Sequence, residues 1–378
     1  MTKKNICKIV LSALLLTGCS SNAASAASAS TSAEAYKNTN LDAGIFDTTY
    51  AYQEAPKTDE SAAHYQSSLT ELKEYSDLYD IYNNYDGINN LKTINDNAGI
   101  QPVKVDQKII DMLKLAKQFY VYSDGEFDIT MGAVLKIWHT YRESGIKLNE
   151  QGQNAPIPSQ EELDAVKSES GWDKVIIDED ASTVYITDAA VSLDVGGIAK
   201  GYATEQVAAD LEKQDISGGY VNVGRNIRLL GAKADGSQWR IGITNPGSST
   251  GDSLVALDVE PSYSVVTSGD YERYYTGTDG NRYSHIIDPQ TLFPATYYHS
   301  VTIIADDSGV ADCLSTTLFT MSVADGKKAL AAYEAASGKK VSAVWIMDPD
   351  KAQNETGKTE GSYFVTYTDD IKDDLIWY

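Results

Sequence analysis

The stretch Ser192-Leu-Asp-Val-Gly-Gly-Ile-Ala-Lys-Gly-Tyr-Ala203 constrains the fold of this chain more than any other. An apolar run that begins near Ala189 ends at Val195, two glycines follow, and Ala199, Ala203, Val207 and Leu211 then recur at helical spacing. The pattern predicts a strand, a tight turn and a helix. Amides freed at such a turn make an anion site, and glycine lets a phosphate or a metal ion approach the backbone. Asp194 stands just before the turn and Lys200 just after it. A Gly-Gly turn before a helix is common, so a purely structural turn stays open on this motif alone.

Residues 1–18 do not belong to the folded core. Lys3, Lys4 and Lys8 lead into the apolar run 9–16, which is too short for a permanent bilayer span and reads as a secretory signal. The run ends in Leu16-Thr17-Gly18-Cys19, similar to the lipobox of bacterial lipoproteins, in which the cysteine becomes the lipidated first residue. An ordinary signal peptide with a chance cysteine is the alternative. Ser, Ala, Asn and Thr dominate the next residues, so 19–40 is expected to be a flexible tether and 41–378 the folded domain. The expected address is the outer face of a bacterial cytoplasmic membrane, held there by the lipid (palmitate among its acyl chains) on Cys19.

With Cys7 inside the signal and Cys19 lipidated, Cys313 is left alone and no disulfide framework can form. The formal net charge of −23 argues against nucleic acid and against broad adhesion to anionic lipid. An acidic solvated surface accounts for it. Any site for a phosphorylated ligand then needs a metal or local dipoles.

Patterning predicts an α+β chain without internal repeats. A strand is expected at 42–51, helices at 59–82 and 107–120, a turn-rich loop at 83–96, and a helix stop followed by a new element at 123–133. Residues 140–161 read as a polar surface insertion, and 174–177 with 183–187 as a strand pair. Further strands are expected at 219–223, 227–230, 239–243, 253–259 and 263–267. A hairpin turning at Asp279-Gly280 should return along 282–288, with Tyr283, His285 and Ile287 on one face. Strands at 300–305, 341–347 and 362–368 and helices at 309–321 and 326–336 complete the chain.

Asp312, Ser315 and Thr316 stand at i, i+3 and i+4, so one carboxylate and two hydroxyls share a helix face. Hard oxygen donors of this kind suit Mg²⁺, although Asp312 could equally be a solvated helix-start residue. His285 is one of four histidines and reads either as a hydrogen-bonded structural residue or as a base. The chain has no HExxH, no Cys/His metal spacing, no Gly-x-Ser-x-Gly and no Gly-x-Gly-x-x-Gly, which removes the usual support for zinc proteases, serine hydrolases and Rossmann enzymes.

Together, Phe127-Asp-Ile-Thr-Met-Gly132, Leu193-Asp-Val-Gly-Gly-Ile-Ala-Lys-Gly-Tyr-Ala203, Tyr220-Val-Asn-Val-Gly224, Ser284-His-Ile-Ile-Asp-Pro289 and Ala311-Asp-Cys-Leu-Ser-Thr316 resemble the ApbE family, in that family's order. The resemblance implies an α+β fold of mainly antiparallel sheets flanked by helices, with an FAD cleft between two lobes. It implies an FAD:protein FMN transferase: a Mg²⁺-dependent enzyme that splits FAD at its pyrophosphate and joins FMN through a phosphoester to a threonine or serine of an acceptor flavoprotein, releasing AMP. By the same resemblance Phe46, Tyr85, Glu126, Phe127, Asp128, Asp194, Lys200 and Ile287 contact FAD, while Gly197, Asp312, Ser315 and Thr316 hold the metal. His285 and Asp312 are the candidate catalytic residues. The acceptor is expected to be an exported or membrane-bound protein of electron transfer with its own flavinylation motif. An FAD pyrophosphatase yielding FMN and AMP, or a non-catalytic FAD-binding lipoprotein, are the rival functions. Gly224-Arg-Asn226 departs from the family's Gly-Gly-Asp, and Asp288-Pro-Gln-Thr-Leu-Phe-Pro294 departs from its usual Thr-Gly turn.

Overall fold

The computed structural model describes residues 34–378 apart from 215, 234, 353 and 354, so the expected signal and Cys19 lie outside the described residues. The chain opens with β1 (Tyr36–Ile45) and β2 (Thr48–Glu54), then α1 (Ser61–Tyr79), α2 (Leu91–Asp96), β3 (Val103–Lys104), α3 (Gln107–Tyr122), α4 (Gly132–Glu150) and α5 (Gln160–Lys167). Next come β4 (Val175–Asp178), β5 (Thr183–Ile186), α6 (Ala199–Glu212), β6 (Gly218–Val223), β7 (Asn226–Gly231), β8 (Trp239–Thr244), β9 (Ser253–Val259) and β10 (Ser264–Gly269). The remainder is β11 (Tyr274–Thr276), β12 (Arg282–Ser284), β13 (Ser300–Ala305), α7 (Ser308–Phe319), α8 (Val323–Ser337), β14 (Ser342–Met347), β15 (Gly357–Glu360), β16 (Tyr363–Tyr367) and β17 (Leu375–Trp377).

A nine-stranded sheet in the order β1-β2-β6-β7-β10-β13-β14-β16-β15 forms the middle layer, with every neighbouring pair antiparallel. Its central strands are apolar on both faces, which a sheet tolerates only when both faces are covered. Val266, Ile303, Ala343 and Trp345 join the core beneath α1, α6 and α7, whereas Val265, Ile304, Val344 and Ile346 join a second core under the small sheet β17-β9-β8. A third apolar cluster gathers Val134, Trp138, Leu163, Tyr275, Ile287 and Leu292 around α4 and the β11-β12 hairpin. The α+β architecture and mainly antiparallel pairing agree with the sequence pattern.

The helices begin where capping residues satisfy their first amides. Asp307 Oδ1 accepts from Val310 N (3.0 Å) at the start of α7, a contact of the kind that contributes about 1 kcal/mol. Ser322 caps α8 through Asp325 N (3.1 Å), and Gly338 in left-handed conformation ends it. Helix α7 is buried along almost its whole length, wedged between α6 and the sheet.

Four expectations need correction. The strand expected at 42–51 is a hairpin: Ile45 pairs with Thr48 across Phe46 and Asp47, both with positive φ (45° and 50°). This turn geometry normally selects Asn-Gly or Asp-Gly, so Phe-Asp gave no signal of it. Strand β1 also begins at Tyr36, inside the expected tether, because its polar alternation is paired to β2 rather than displayed on a core. The expected insertion at 140–161 is the second half of α4, a loop and the start of α5. Its apolar stripe is interrupted at Gly145, which resembles a helix break but is a close approach: a Cβ there would lie 2.5 Å from the Tyr275 ring. Finally, residues 192–195 form no sheet strand, and β12 ends at Ser284, before His285.

Candidate active site

The glycine turn is held from three sides. Asn95 of α2 grips the extended backbone before it, accepting from Leu193 N (2.8 Å) and donating to Leu193 O (2.9 Å). On the opposite edge Asp194 N donates to Ile129 O (2.8 Å) and Gly132 N to Ser192 O (3.0 Å). The segment is therefore zipped between α2 and the chain entering α4, which replaces the sheet pairing that its pattern suggested. After the turn α6 crosses α7 so closely that a Cβ at Gly201 would sit 2.3 Å from Ser308 O and 2.4 Å from Asp312 Cβ. Only glycine permits that crossing, and the crossing brings Asp312 to the turn.

Asp312 is buried, and its Oδ2 accepts from Gly201 N (2.9 Å) and lies 3.4 Å from Lys200 Nζ. Lys200 Nζ also donates to Gly196 O (3.2 Å). Across the same gap, a Cβ on Gly197 would stand 3.1 Å from Thr316 Oγ1 and 3.1 Å from the Phe127 ring. Ser315 Oγ is shared with Ser268 Oγ (2.8 Å) and donates to Asp312 O (2.9 Å), so it braces the carboxylate's backbone and ties α7 to β10. Among the described residues no three His, Cys, Asp or Glu side chains converge to bind a metal. The Asp312 carboxylate, the Thr316 hydroxyl and the backbone of the Gly196-Gly197 turn do come together here, and hard oxygen donors of that mix fit a divalent cation such as Mg²⁺, which keeps few protein ligands.

Of the residues expected to contact the flavin, Phe127 and Lys200 touch this point and the others lie on several separate elements. Phe127 is buried, packing edge-on to Phe119 at 6.3 Å between ring centroids. Phe46 sits at the tip of the β1-β2 hairpin, packed against the main core, with its amide donating to Ser76 Oγ (2.9 Å). Glu126 accepts from Gln290 Nε2 (3.1 Å), and burial raises its pKa against that bond. Burial also raises Asp128, whose Oδ1 accepts from Thr130 N (2.8 Å) and Thr130 Oγ1 (2.7 Å). Tyr85 donates to Asp80 Oδ2 (2.7 Å) and lines a hollow of about 410 Å³ within the 84–97 loop. Ile287 is buried in the third cluster and bridges to Pro294.

His285 departs from expectation in two ways. It follows the end of β12, so it shares no strand face with Ile287. Its pKa is also not near neutral: burial, then the charges of Arg273, Arg142 and Lys200, push it down to about 3. The imidazole is neutral at physiological pH, and its Nδ1 is buried without a hydrogen-bond partner among the described residues. Asp194 responds to the same surroundings in the opposite sense. Burial raises it, countered by the Gly196 amide, Arg142 and His139.

Arg142, His139, Arg273 and Tyr82 belong to this cleft, and no motif marked them. Arg142 lies on the part of α4 that read as an insertion and His139 immediately before it, and Arg273 follows β10 by loop alone. Arg225, at the departure from the family's pattern, has φ 72° in the tight β6-β7 turn. Its guanidinium pairs with Glu272 (2.6 Å) and donates to Thr244 Oγ1 (3.0 Å), tying the large sheet to β8 and to the loop before β11.

Comparison with known proteins agrees with this arrangement. The chain is 31% identical to FAD:protein FMN transferase of Klebsiella pneumoniae over 68% of its own length and 76% of the relative's. It is 33% identical to FAD:protein FMN transferase of Treponema pallidum, over 61% of this chain and 64% of that one. The crystal structure of the ApbE protein of Thermotoga maritima superposes with TM-score 0.68 at 29% identity, covering 82% of this chain and 94% of that one. The flavin transferase ApbE of Vibrio cholerae superposes with TM-score 0.69 at 26% identity, covering 90% and 99%. With the sequence pattern of the ApbE family matched over residues 46–338, and the family's glycine turn and late helix meeting at Asp312, the chain belongs to the ApbE family.

Proposed function

We propose that this protein is an FAD:protein FMN transferase that binds FAD in the cleft between the α6-α7 layer and the α4 lobe. The observation that carries the reading is the meeting of Asp312 and Thr316 with the Gly196-Gly197 turn, from segments more than a hundred residues apart in sequence. The oxygen donors of Asp312, Thr316 and Gly197 would hold Mg²⁺, with Ser315 bracing them and its remaining lone pair available. Bound there, the ion would neutralise charge on the donor's diphosphate.

The chain's own residues supply the rest. The acceptor's threonine or serine oxygen attacks the FMN phosphorus, the bond from that phosphorus to the bridging oxygen breaks, and AMP leaves with the bridging oxygen. The hydroxyl proton passes to His285, which is neutral and has a ring nitrogen without a partner among the described residues. Lys200, 3.4 Å from Asp312 Oδ2, would steady the departing phosphate. The Gly196 amide and the charge of Arg142 act on Asp194 against the burial that raises its pKa.

The acceptor class follows from the reading of residues 1–40. An exported chain lipidated at Cys19 meets acceptors on the outer face of the membrane, which suits flavoproteins of extracytoplasmic electron transfer. The test is mass spectrometry of a peptide carrying a Thr/Ser flavinylation motif after incubation with FAD, Mg²⁺ and this protein. Addition of FMN to the peptide, with one AMP released per addition, supports the reading. Free FMN and AMP formed at the same rate without any peptide would instead mark an FAD pyrophosphatase, and no turnover would mark a binding protein.

A further inference from the structure

The chain has six arginines. Three are neutralised by carboxylates: Arg225 by Glu272, Arg228 by Glu205 and Glu212, and Arg240 by Asp258. Arg282 lies over the Tyr274 ring at 4.7 Å. The remaining two, Arg142 and Arg273, have no carboxylate within 4.0 Å among the described residues, in a chain with 54 acidic side chains. Both are held instead by neutral acceptors. Arg142 Nη2 lies 2.9 Å from His139 Nδ1, and since a guanidinium only donates, His139 is neutral with its proton on Nε2. The His139 ring is in turn set against Tyr82 at 5.1 Å between centroids. Arg273 Nη2 donates to the backbone oxygen of Asp47 (3.2 Å), in the β1-β2 turn beside Phe46.

Each arginine is thus aimed from behind with no carboxylate in ion-pair contact among the described residues, Glu143 and Asp194 acting on Arg142 only at longer range, and both arginines act electrostatically on His285. Burial, then the charge of Arg273, works against the ionised form of Arg142. Two guanidinium groups kept together without a counter-ion are costly unless an anion completes the site. Their planar donors match the paired oxygens of a phosphate.

We infer that Arg142 and Arg273 form an anion clamp beside His285 that takes phosphate oxygens of the dinucleotide's diphosphate. This rests on the proposed FAD-binding reading and deepens it. Arg273 is contributed by the loop after β10 and Arg142 by α4, so two separate elements supply the clamp, and Lys200 acts on the same His285 as both of them. His139 is a positioning residue for Arg142.

The test compares two ligands that share the isoalloxazine ring and differ in phosphate. Quenching of flavin fluorescence gives the affinity of the intact protein for FAD and for riboflavin. Arg142→Met and Arg273→Met should each weaken FAD by about tenfold or more and leave riboflavin unchanged, with Arg142→Lys falling between the wild type and Arg142→Met. Inorganic pyrophosphate should displace FAD from the wild type and lose that ability in the Met variants. Unchanged FAD affinity in both Met variants overturns the clamp while leaving the transferase reading intact. A parallel loss of FAD and riboflavin overturns it in favour of a structural role. A wild type that binds no FAD and labels no acceptor removes the clamp together with the reading beneath it.

Discussion

At the scale of single residues, the charge on Asp312 and the missing charge on His285 decide the chemistry. Asp312→Asn keeps a carbonyl oxygen for the Gly201 amide but removes the charge that would hold a cation and Lys200. Single-turnover labelling of an acceptor peptide should fall by at least the roughly 10- to 100-fold that follows loss of even an outer-shell metal partner, and a magnesium titration should shift to higher concentration. His285→Gln should slow the same labelling by about 10²- to 10⁴-fold, the usual share of a general base. A pH profile checks the assignment independently. With its pKa pushed down to about 3, His285 is unprotonated throughout the working range, so it should produce no loss of kcat/KM near pH 6.5 as pH falls. Bound phosphate adds negative charge beside the imidazole and raises its pKa, so the acid limb of kcat should lie at higher pH than that of kcat/KM. An acid limb of kcat/KM near 6.5 that disappears in His285→Gln would show the histidine to be solvated rather than buried. Neither property of His285 is legible from Ser-His-Ile-Ile-Asp-Pro: the motif gives the residue, and the arginines that set its charge state come from two other elements.

At the scale of elements, the cleft depends on how strand ends and helices are tied. His299, at the start of β13, accepts no simple assignment as a surface residue. Its Nδ1 lies 3.0 Å from Asp270 Oδ2 after β10, and its Nε2 lies 2.9 Å from Asp348 Oδ1 after β14. Three neighbouring strands are thereby stapled next to the loop that carries Glu272 and Arg273. Burial pulls the pKa of His299 down, but the two carboxylates outweigh it and hold the folded-state value above the ordinary one. A group raised in the folded state stabilises fully below its unfolded pKa of about 6.5, and the contribution is lost as pH rises through the folded value. Thermal melting of the wild type should therefore fall across the mildly alkaline range relative to His299→Gln, whose melting temperature should be lower in acid and flatter with pH. Equal pH slopes for the two proteins would remove the staple. Helix α4 illustrates the opposite case, an element that the sequence disguised. Its apolar positions are sparse, Gly145 interrupts them, and the stripe becomes visible only when Tyr275 and Ile287 supply the surface it packs on.

At the scale of the whole molecule, three apolar clusters divide the chain into a body built on the nine-stranded sheet and a smaller lobe of α4 with β11-β12. The candidate site draws on both, with the proposed metal donors from the body and the arginine of α4 from the lobe. The expected signal and most of the expected tether lie outside the described residues, and the role proposed for them is in encounter rather than in chemistry. A variant lacking residues 1–33 should label a soluble acceptor peptide at the wild-type rate and a membrane-embedded acceptor in vesicles far more slowly, since tethering acts through effective concentration. Equal slowing on both acceptors would place a catalytic or folding role in that segment. The sequence by itself determined the elements whose apolar period is regular, the glycine turn, and the placing of Asp312, Ser315 and Thr316 on one helix face, because those properties depend on residues only a few positions apart. Tertiary structure alone decided the Phe46-Asp47 reversal, the continuation of α4, the lowered pKa of His285 and the influence of Arg142 and Arg273 upon it. Desolvation and long-range charge are sums over whatever the fold brings near, and no local pattern carries that sum.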